Sequence, residues 1–214
     1  MRGVGPVGFD LDMTLIDSRP AIMAAWQAVA AETGVRIDLA EVDARMGIKL
    51  EAEIAFWFPA AEHASAAATY RRHYVALAPL LTTLLPGAAE ALAIVRQAGE
   101  RAVIITAKHP VSVQPSLAAV GLVPDEVFMH VHGAEKAAVL ARLAAAAYVG
   151  DTPADMEAAL RAGVAPVGVA TGSFPAAELR ASGAGVVLGS LRDFPSWYAG
   201  FRSDPRQERG TNGD

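Results

Sequence analysis

The sequence of 214 residues contains no cysteine. This absence excludes thiol nucleophiles, zinc–thiolate sites, iron–sulfur clusters and a disulfide framework. A chain without disulfides suits a reducing compartment, and we expect a cytoplasmic location. Catalytic groups are therefore to be sought among carboxylates, hydroxyls, imidazoles and amines.

The chain also lacks a basic excess and a long apolar run. Its 18 lysines and arginines are outnumbered by 23 aspartates and glutamates, which gives a formal net charge of −5. Binding to nucleic acid without sequence preference needs a basic surface, so this balance disfavours it. A transmembrane helix needs about 20 consecutive apolar residues, and charge, glycine or proline interrupts every apolar stretch here well before that length. We therefore expect neither nucleic acid nor a membrane as a partner.

Short apolar runs rich in valine and isoleucine alternate with helix-like stretches through most of the chain. The predicted strands are Val4–Phe9, Ala102–Thr106, Val127–His130, Ala147–Gly150, Pro166–Val169 and Val186–Leu188. The predicted helices between them are Ala88–Gln97, Ser112–Val120, Glu135–Ala144, Ala154–Arg161 and Ala176–Ala181. This alternation is typical of βαβ units, and continuous apolar strands indicate helices on both faces of the sheet. The pattern predicts an α/β fold with a doubly wound, mostly parallel, Rossmann-like sheet.

A helical insertion separates the first predicted strand from the second. Residues 18–84 contain no convincing strand and favour helices at Pro20–Glu32, Leu39–Met46, Leu50–Phe58 and Ala60–Leu77. We interpret residues 1–17 and 85–202 as an α/β core domain and residues 18–84 as a helical cap domain. Residues 203–214 are polar and rich in glycine without periodicity, so we predict a disordered tail.

Polar residues stand at the carboxyl ends of three predicted strands, where ligands gather in open parallel sheets. A lysine at the start of the helix before the fourth predicted strand joins them. The full set is Asp10, Asp12, Thr106, Lys136, Asp151 and Asp155. Each has an ordinary interpretation by itself, as a turn residue, a helix cap or a solvated side chain. Their joint occurrence, in order and at strand ends, indicates a shared site.

The carboxylates suggest nucleophilic catalysis by an aspartate. A cluster of carboxylates is electrostatically unfavourable without a cation, and hard oxygen ligands suit Mg²⁺ together with a substrate phosphate. Asp10 could then attack phosphorus, while Asp12 protonates the leaving oxygen and later activates water. Thr106 and nearby backbone N–H groups would bind the phosphoryl oxygens, and Lys136 would neutralise their charge.

These motifs resemble those of the haloacid dehalogenase superfamily of hydrolases, in its phosphoglycolate phosphatase-like branch. The matching segments are residues 8–18 (GFDLDMTLIDS), residues 104–108 (IITAK), Lys136, and residues 149–156 (VGDTPADM). The resemblance extends over about Val4 to Pro195. Two positions depart from the family pattern, because Met13 stands where glycine is common and Ala137 follows Lys136 where proline is common.

The resemblance implies a Mg²⁺-dependent phosphatase that hydrolyses a small phosphomonoester, such as phosphoglycolate, through an aspartyl-phosphate. It implies Asp10 as the nucleophile and Asp12 as the general acid/base, assisted by Thr106 and Lys136. The residues implied to bind Mg²⁺ are Asp10, Asp12 through its backbone carbonyl, Asp151 and Asp155. The core residues expected to bind the substrate are Thr14, Ala107 and Lys108.

The resemblance also implies that a loop of the cap reaches the substrate. The candidate is the Gly47 turn between two helical runs, flanked by Arg45 and Lys49. A functional interpretation is that one of these cations recognises a second anionic group such as a carboxylate; a solvated basic pair is equally compatible. His130 and His132 form a His-x-His near a strand end, which is compatible with a metal site, but we favour rim or loop histidines because no further soft ligand is close in sequence.

Several other activities are separable by residues. Dehalogenases and phosphonate-cleaving relatives lack the second carboxylate of the first motif, so Asp12 disfavours both. Receiver domains place their lysine after all the acidic residues, whereas Lys136 precedes Asp151. A sugar phosphomutase shares every core motif and stays open, as does a catalytically silent binding protein on the same fold. The oligomeric state is not readable from the sequence.

Overall fold

The computed structural model describes residues 5–204. The strands are β1 (Val7–Phe9), β2 (Ile16–Asp17), β3 (Thr83–Leu84), β4 (Ala102–Ile105), β5 (Glu126–Phe128), β6 (Ala147–Gly150), β7 (Ala165–Val169) and β8 (Val186–Leu188). The helices are α1 (Arg19–Thr33), α2 (Leu39–Ala44), α3 (Leu50–Trp57), α4 (His63–Leu81), α5 (Ala88–Gln97), α6 (Pro110–Val120), α7 (Ala134–Arg142), α8 (Pro153–Ala162), α9 (Ala176–Ala181) and α10 (Phe194–Arg202).

Six strands form one sheet in the order β5-β4-β1-β6-β7-β8, and every neighbouring pair is parallel. The predicted fold class is therefore confirmed. Strand β1 lies at the centre, with Phe9 opposite Ile104 of β4 on one side and Val149 of β6 on the other. The chain winds outward on one side of β1 and then returns to the other side, so the switch point that attracts ligands in such sheets lies at β1.

Both faces of the sheet are covered, as the apolar strands predict. Along β4, Val103 and Ile105 belong to one buried cluster, while Ala102 and Ile104 belong to the other. This alternation arises because successive side chains of a strand point to opposite faces. It explains why the strand shows no polar positions.

Helix α10 is an element that the sequence analysis does not predict. Its aromatic residues follow helical spacing at Phe194, Trp197, Tyr198 and Phe201, and Phe194 packs on Phe9 with ring centroids 5.4 Å apart. A proline lies in its first turn, where the missing N–H costs no hydrogen bond. The aromatic periodicity was the available signal for this helix.

Helices α1 to α4 form a second cluster with its own buried side chains. Trp26 of α1 packs against Tyr70 of α4, with ring centroids 4.8 Å apart. The single helix predicted at residues 60–77 is instead a short 3₁₀ turn, Ala60–Glu62, followed by α4. Helix α4 continues past Pro79 to Leu81, because buried Ala78 anchors its last turn and still accepts a hydrogen bond from Thr82.

A two-stranded antiparallel pair, β2 and β3, lies where the chain enters and leaves this helical cluster. The prediction that residues 18–84 contain no strand is wrong at Thr83–Leu84, since two residues are too few to show a pattern. The ends predicted as part of the first strand and as a disordered tail, residue 4 and residues 205–214, lie outside the described residues. Within the described part of the chain, no helix combines the length and apolar character needed to cross a membrane.

Candidate active site

The site begins at Asp10, the residue directly after β1. Its backbone N–H donates to the carbonyl of Val149 at 2.8 Å, which extends the sheet pairing by one position. The Asp10 side chain is buried. Because β4 and β6 flank β1, the residues that follow those strands lie beside Asp10.

The turn after Asp10 is closed by the hydrogen bonds of residues 11–16. Met13 donates to the carbonyl of Ile16 at 2.8 Å, and the Thr171 hydroxyl donates to the carbonyl of Met13 at 2.5 Å. Met13 has φ +58°, in the left-handed region that favours glycine. This geometry explains why glycine is common at this position in the family, since methionine is the more strained residue there.

Lys136 in the first turn of α7 joins two of the aspartates. Its Nζ donates to Asp10 Oδ1 at 2.9 Å and to Asp155 Oδ1 at 2.7 Å. Burial alone would lower the pKa of Lys136, but the two carboxylates raise that pKa well above its usual range. The ammonium therefore stays charged and fixes the position of Asp10.

Asp10, Asp151 and Asp155 form a buried acidic cluster, which we call the acidic triad. One carboxylate oxygen from each lies within 4.8 Å of the others. Burial raises the pKa of Asp10 to about 7, with Lys136 opposing the rise and Asp155 adding to it. Burial and the Asp10 charge likewise raise the pKa of Asp151. Three buried carboxylates with one ammonium are short of positive charge.

The donor set of the triad fits a divalent cation. Both oxygens of Asp155 are engaged, since Oδ1 accepts from Lys136 and Oδ2 accepts from the backbone N–H and hydroxyl of Thr152. Asp151 accepts a side-chain hydrogen bond from the Thr14 hydroxyl at 3.0 Å. Asp10 and Asp151 could therefore serve as direct carboxylate ligands of a cation, while Asp155 accepts from Lys136 and caps α8.

Thr14 lies behind the carboxylates. It is fully buried, and its hydroxyl donates to Asp151 Oδ1. This placement favours a role in orienting Asp151 over the direct substrate contact that the resemblance implies.

Gly172, which follows β7, packs against the Asp151 carboxylate. A Cβ built on Gly172 would overlap Asp151 Oδ2. Gly172 has no role predicted from the sequence, because a glycine in a loop carries no direct chemical signal.

With Asp151 as an expected Mg²⁺ ligand, we expect Gly172→Ala to displace its carboxylate and to lower Mg²⁺ affinity about 10- to 100-fold, the usual effect of a change next to a metal ligand. Titration of Mg²⁺ by calorimetry, with the melting temperature as a fold check, measures this effect. Gly200→Ala is the matched control, since a Cβ at Gly200 meets no atom within 4 Å and lies inside α10. Equal Mg²⁺ affinity in both variants would contradict the assignment of Asp151 as a ligand of the cation.

Asp12 pairs with a different ammonium group from the one that holds Asp10. Its Oδ1 accepts from the Ser18 hydroxyl and from Lys108 Nζ, both at 2.5 Å. Burial opposes the charge on Lys108, but Asp12 and the neighbouring Tyr74 raise the pKa of Lys108 above its usual value. Ser18 is a further residue without a role predicted from the sequence, although it is the last residue of the first motif and directly precedes α1.

Thr106 and Ala107 follow β4, as predicted, and both line the cavity described below. The Thr106 backbone is held by β5, since its N–H donates to the Phe128 carbonyl at 2.9 Å. Its hydroxyl accepts from the backbone N–H of Lys108 at 3.1 Å. The loop after β4 thus presents a hydroxyl and an ammonium next to the carboxylates.

The comparison with family models identifies the family of this chain. A model described as haloacid dehalogenase-like hydrolase matches residues 7–163, well over half of the chain. This chain belongs to the haloacid dehalogenase-like hydrolases. The comparison with curated proteins gives no significant match.

Several solved structures share the fold of this hydrolase. Protein SP0104 from Streptococcus pneumoniae is 21% identical, with a TM-score of 0.79, covering 91% of this chain and 98% of its own. A predicted phosphoglycolate phosphatase from Haemophilus somnus 129PT is 20% identical, with a TM-score of 0.78 and coverages of 91% and 97%. A Thermotoga maritima protein provisionally named a β-phosphoglucomutase is 19% identical, with a TM-score of 0.70 and coverages of 91% and 99%.

The hydrolase has a cavity of about 360 Å³ between the helical cluster and the carboxyl ends of the strands. Asp10 and Asp12 line it from the sheet, while Arg45, Gly47 and Lys49 line it from the helical side. A Cβ on Gly47 would lie 3.6 Å from Thr152, so this loop approaches the turn that carries Asp151. The loop around Gly47, predicted from the sequence to reach the substrate, therefore lines the same cavity as the carboxylates.

Arg45 and Lys49 differ in their surroundings. Arg45 Nε donates to Glu53 Oε2 at 2.9 Å, and its guanidinium lies 3.9 Å from the centre of the Phe56 ring. Lys49 is exposed at the mouth of the cavity. Arg45 therefore already has a carboxylate partner, whereas Lys49 faces solvent.

Three histidines pack together at the cavity wall. The ring of His130 lies 5.5 Å from that of His109 and 5.1 Å from that of His132, edge to face in both pairs. Burial and nearby cations lower the pKa of His109 and of His132. Among the described residues, the acidic triad is the only group of three or more metal-ligating side chains with converging ligand atoms.

Proposed function

We propose that this hydrolase is a Mg²⁺-dependent phosphatase that cleaves small phosphomonoesters through an aspartyl-phosphate on Asp10. The observation that carries the proposal is the pairing of two differently held carboxylates at one strand end. Asp10 is fixed by Lys136 beside Asp151, and Asp12 is held apart by Ser18 and Lys108. Two carboxylates in different environments can act as nucleophile and as acid/base.

Mg²⁺ would be held by Asp10 and Asp151, with the Asp12 carbonyl as the implied third protein ligand and Asp155 in support. When bound, it supplies positive charge to the substrate phosphate and to the crowded carboxylates. Such a cation also favours the ionised form of Asp10, which burial otherwise disfavours.

The amines and the hydroxyl around Asp10 would bind the phosphoryl group. Lys136 and Lys108 bring fixed positive charge, and Thr106 brings a hydroxyl beside backbone N–H groups. Donors aimed at the phosphoryl oxygens stabilise the charge that develops during transfer. Their positions need no rearrangement at the moment of reaction, because the sheet and α7 hold them.

The reaction would proceed in two displacements. An oxygen of Asp10 forms a bond to phosphorus as the ester P–O bond breaks, and Asp12 gives its proton to the departing alkoxide. A water then attacks the same phosphorus while Asp12 takes its proton, and the bond from phosphorus to Asp10 breaks. Inorganic phosphate and the free Asp10 carboxylate result.

We further propose that residues 18–84 act as a cap domain on the core formed by residues 1–17 and 85–202. The helical cluster covers the cavity and places the Gly47 loop over the carboxylates. A cover of this kind limits water at the reacting phosphorus and selects the alcohol half of the substrate. The partner implied is a small phosphorylated metabolite.

The test is phosphate release from a panel of phosphomonoesters that includes phosphoglycolate and a hexose phosphate. We expect Mg²⁺-dependent release from at least one ester and loss of release in excess EDTA. A second candidate function is that of a sugar phosphomutase, which the name of the Thermotoga maritima protein suggests. Isomerisation of the hexose phosphate without phosphate release would favour the mutase, and no turnover of any ester would contradict the phosphatase.

A further inference from the structure

The wall of the cavity opposite the carboxylates consists mainly of apolar and aromatic side chains. Those that the helical cluster contributes include Ile22, Trp26, Met46, Ile48, Tyr70 and Tyr74. Trp26 and Tyr74 are almost fully buried, whereas Ile48 keeps 46% of its surface exposed. Because the two aromatic side chains are almost fully buried, Ile48 is the one of these three with apolar surface still accessible, and a ligand that covers it gains free energy.

The cations nearest this wall already have carboxylate partners. Arg45 pairs with Glu53 at 2.9 Å, and the other oxygen of Glu53 accepts from Trp57 Nε1 at 2.7 Å. Glu53 is itself 5% exposed, so the pair is satisfied within the helical cluster. A substrate carboxylate bound beside Arg45 would be repelled by Glu53 unless it displaced that side chain.

The other lysines and arginines that line the cavity are likewise paired with carboxylates, or are exposed to solvent. Lys108 pairs with Asp12 at 2.5 Å and Lys136 with Asp10 at 2.9 Å, and both lysines are assigned above to the phosphoryl group. Arg71 pairs with Glu51 at 2.7 Å. Lys49 is exposed, where solvent screens a single charge and its attraction is weak. The inner wall therefore offers a substrate apolar contact rather than unpaired positive charge.

The size of the cavity also favours an apolar group larger than a two-carbon acid. At about 360 Å³ it lies within the range of small-molecule pockets, which is roughly 300–1,000 Å³. A phosphoryl group at Asp10 and a two-carbon acid would leave much of the apolar wall uncovered. A ring or branched chain attached to the ester oxygen would cover it.

We propose that the alcohol half of the substrate is an uncharged, apolar group of ring size that packs on Ile48 at the apolar wall of the cavity. This inference rests on the proposed phosphatase function and specifies its substrate class. It departs from the expectation of a phosphoglycolate-like substrate, in which a carboxylate takes the place of the ring.

Benzyl phosphate and phosphoglycolate form a matched pair for the test, because each carries one substituent on the same CH₂–O–phosphate unit. We expect kcat/KM for benzyl phosphate to exceed that for phosphoglycolate about 10- to 100-fold, the range for burying a ring-sized apolar group. If only another ester of the panel turns over, both compounds are compared as its competitive inhibitors, with the same order expected. Equal or reversed preference overturns this inference alone, because phosphate release still supports the phosphatase. Absence of phosphate release from every ester contradicts the phosphatase and this inference with it.

A pair of variants assigns the preference to the wall. Ile48→Gln is expected to lower the benzyl-to-glycolate ratio about 3- to 10-fold, because a polar amide replaces apolar contact. Leu80→Gln makes the same kind of change at a side chain that is 78% exposed on α4 and does not line the cavity. We expect the Leu80 variant to keep the ratio of the parent protein. An unchanged ratio in Ile48→Gln, or an equal loss in both variants, would contradict the assignment.

Discussion

Replacing Asp10 with asparagine is expected to lower kcat for phosphate release about 10³- to 10⁵-fold. The asparagine side chain has the shape of the aspartate side chain, but its amide oxygen is not a nucleophile towards phosphorus. The substitution also removes one charge from the acidic triad, so we expect the metal-free variant to be at least as stable as the parent. Steady-state phosphate release, with urea unfolding in parallel, measures both effects.

Asp38→Asn is the control for Asp10→Asn. Asp38 caps α2 with its side chain, and asparagine caps helices equally well. We expect this variant to keep the activity and stability of the parent. The residual rate of variants that lack their nucleophile is far below a tenth of the parental activity. If Asp10→Asn kept more than about a tenth of that activity, Asp10 could not be the nucleophile.

Replacing Lys136 with methionine is expected to lower the free energy of unfolding by about 3–5 kcal/mol in EDTA, the usual effect of removing one partner from a buried ion pair. The substitution leaves Asp10, Asp151 and Asp155 without their ammonium, with ligand oxygens within 4.8 Å of one another. Urea unfolding of the metal-free proteins measures the loss. Saturating Mg²⁺ is expected to recover part of it, because the cation replaces the missing positive charge.

Two variants make the Lys136 prediction specific. Adding Asp151→Asn to Lys136→Met is expected to restore part of the stability, since it removes one of the repelling carboxylates. Lys49→Met changes an exposed lysine and is expected to shift stability by no more than about 0.5 kcal/mol. Equal stability of the parent and Lys136→Met in EDTA would contradict the charge balance described for the triad.

The sheet and the position of the site were predictable for one physical reason. The carboxyl ends of neighbouring parallel strands meet at one edge, so residues that directly follow such strands lie together. Asp10, Thr106 and Asp151 each follow a strand whose apolar run is visible in the sequence. Their proximity follows once β1, β4 and β6 are neighbours, as the observed strand order has them.

The partners of these residues were not predictable in the same way. Ser18 reaches Asp12 through a turn, and Glu53 pairs with Arg45 across the loop that contains Gly47. Neither pairing has a periodic signal, because each depends on the course of irregular backbone. Gly172 is a similar case, since the close approach to Asp151 arises only when β7 lies beside β6.

Helix α10 and the β2–β3 pair show the two limits of pattern reading. The helix carries a readable spacing of aromatic residues, but Pro195 in its first turn resembles a helix-breaking signal. The strand pair contains two residues on each side, too few for any alternation to appear. In both cases packing against the rest of the chain, and not local preference, determines the structure.

Trapping the covalent intermediate tests the central claim most directly. The protein is mixed with a turned-over ester and Mg²⁺, quenched in acid during turnover, digested, and sequenced by tandem mass spectrometry. We predict the added mass of one phosphoryl group on Asp10, and its absence in Asp10→Asn. Turnover with no phosphorylated peptide, or with the phosphoryl group on a residue other than Asp10, would contradict the account.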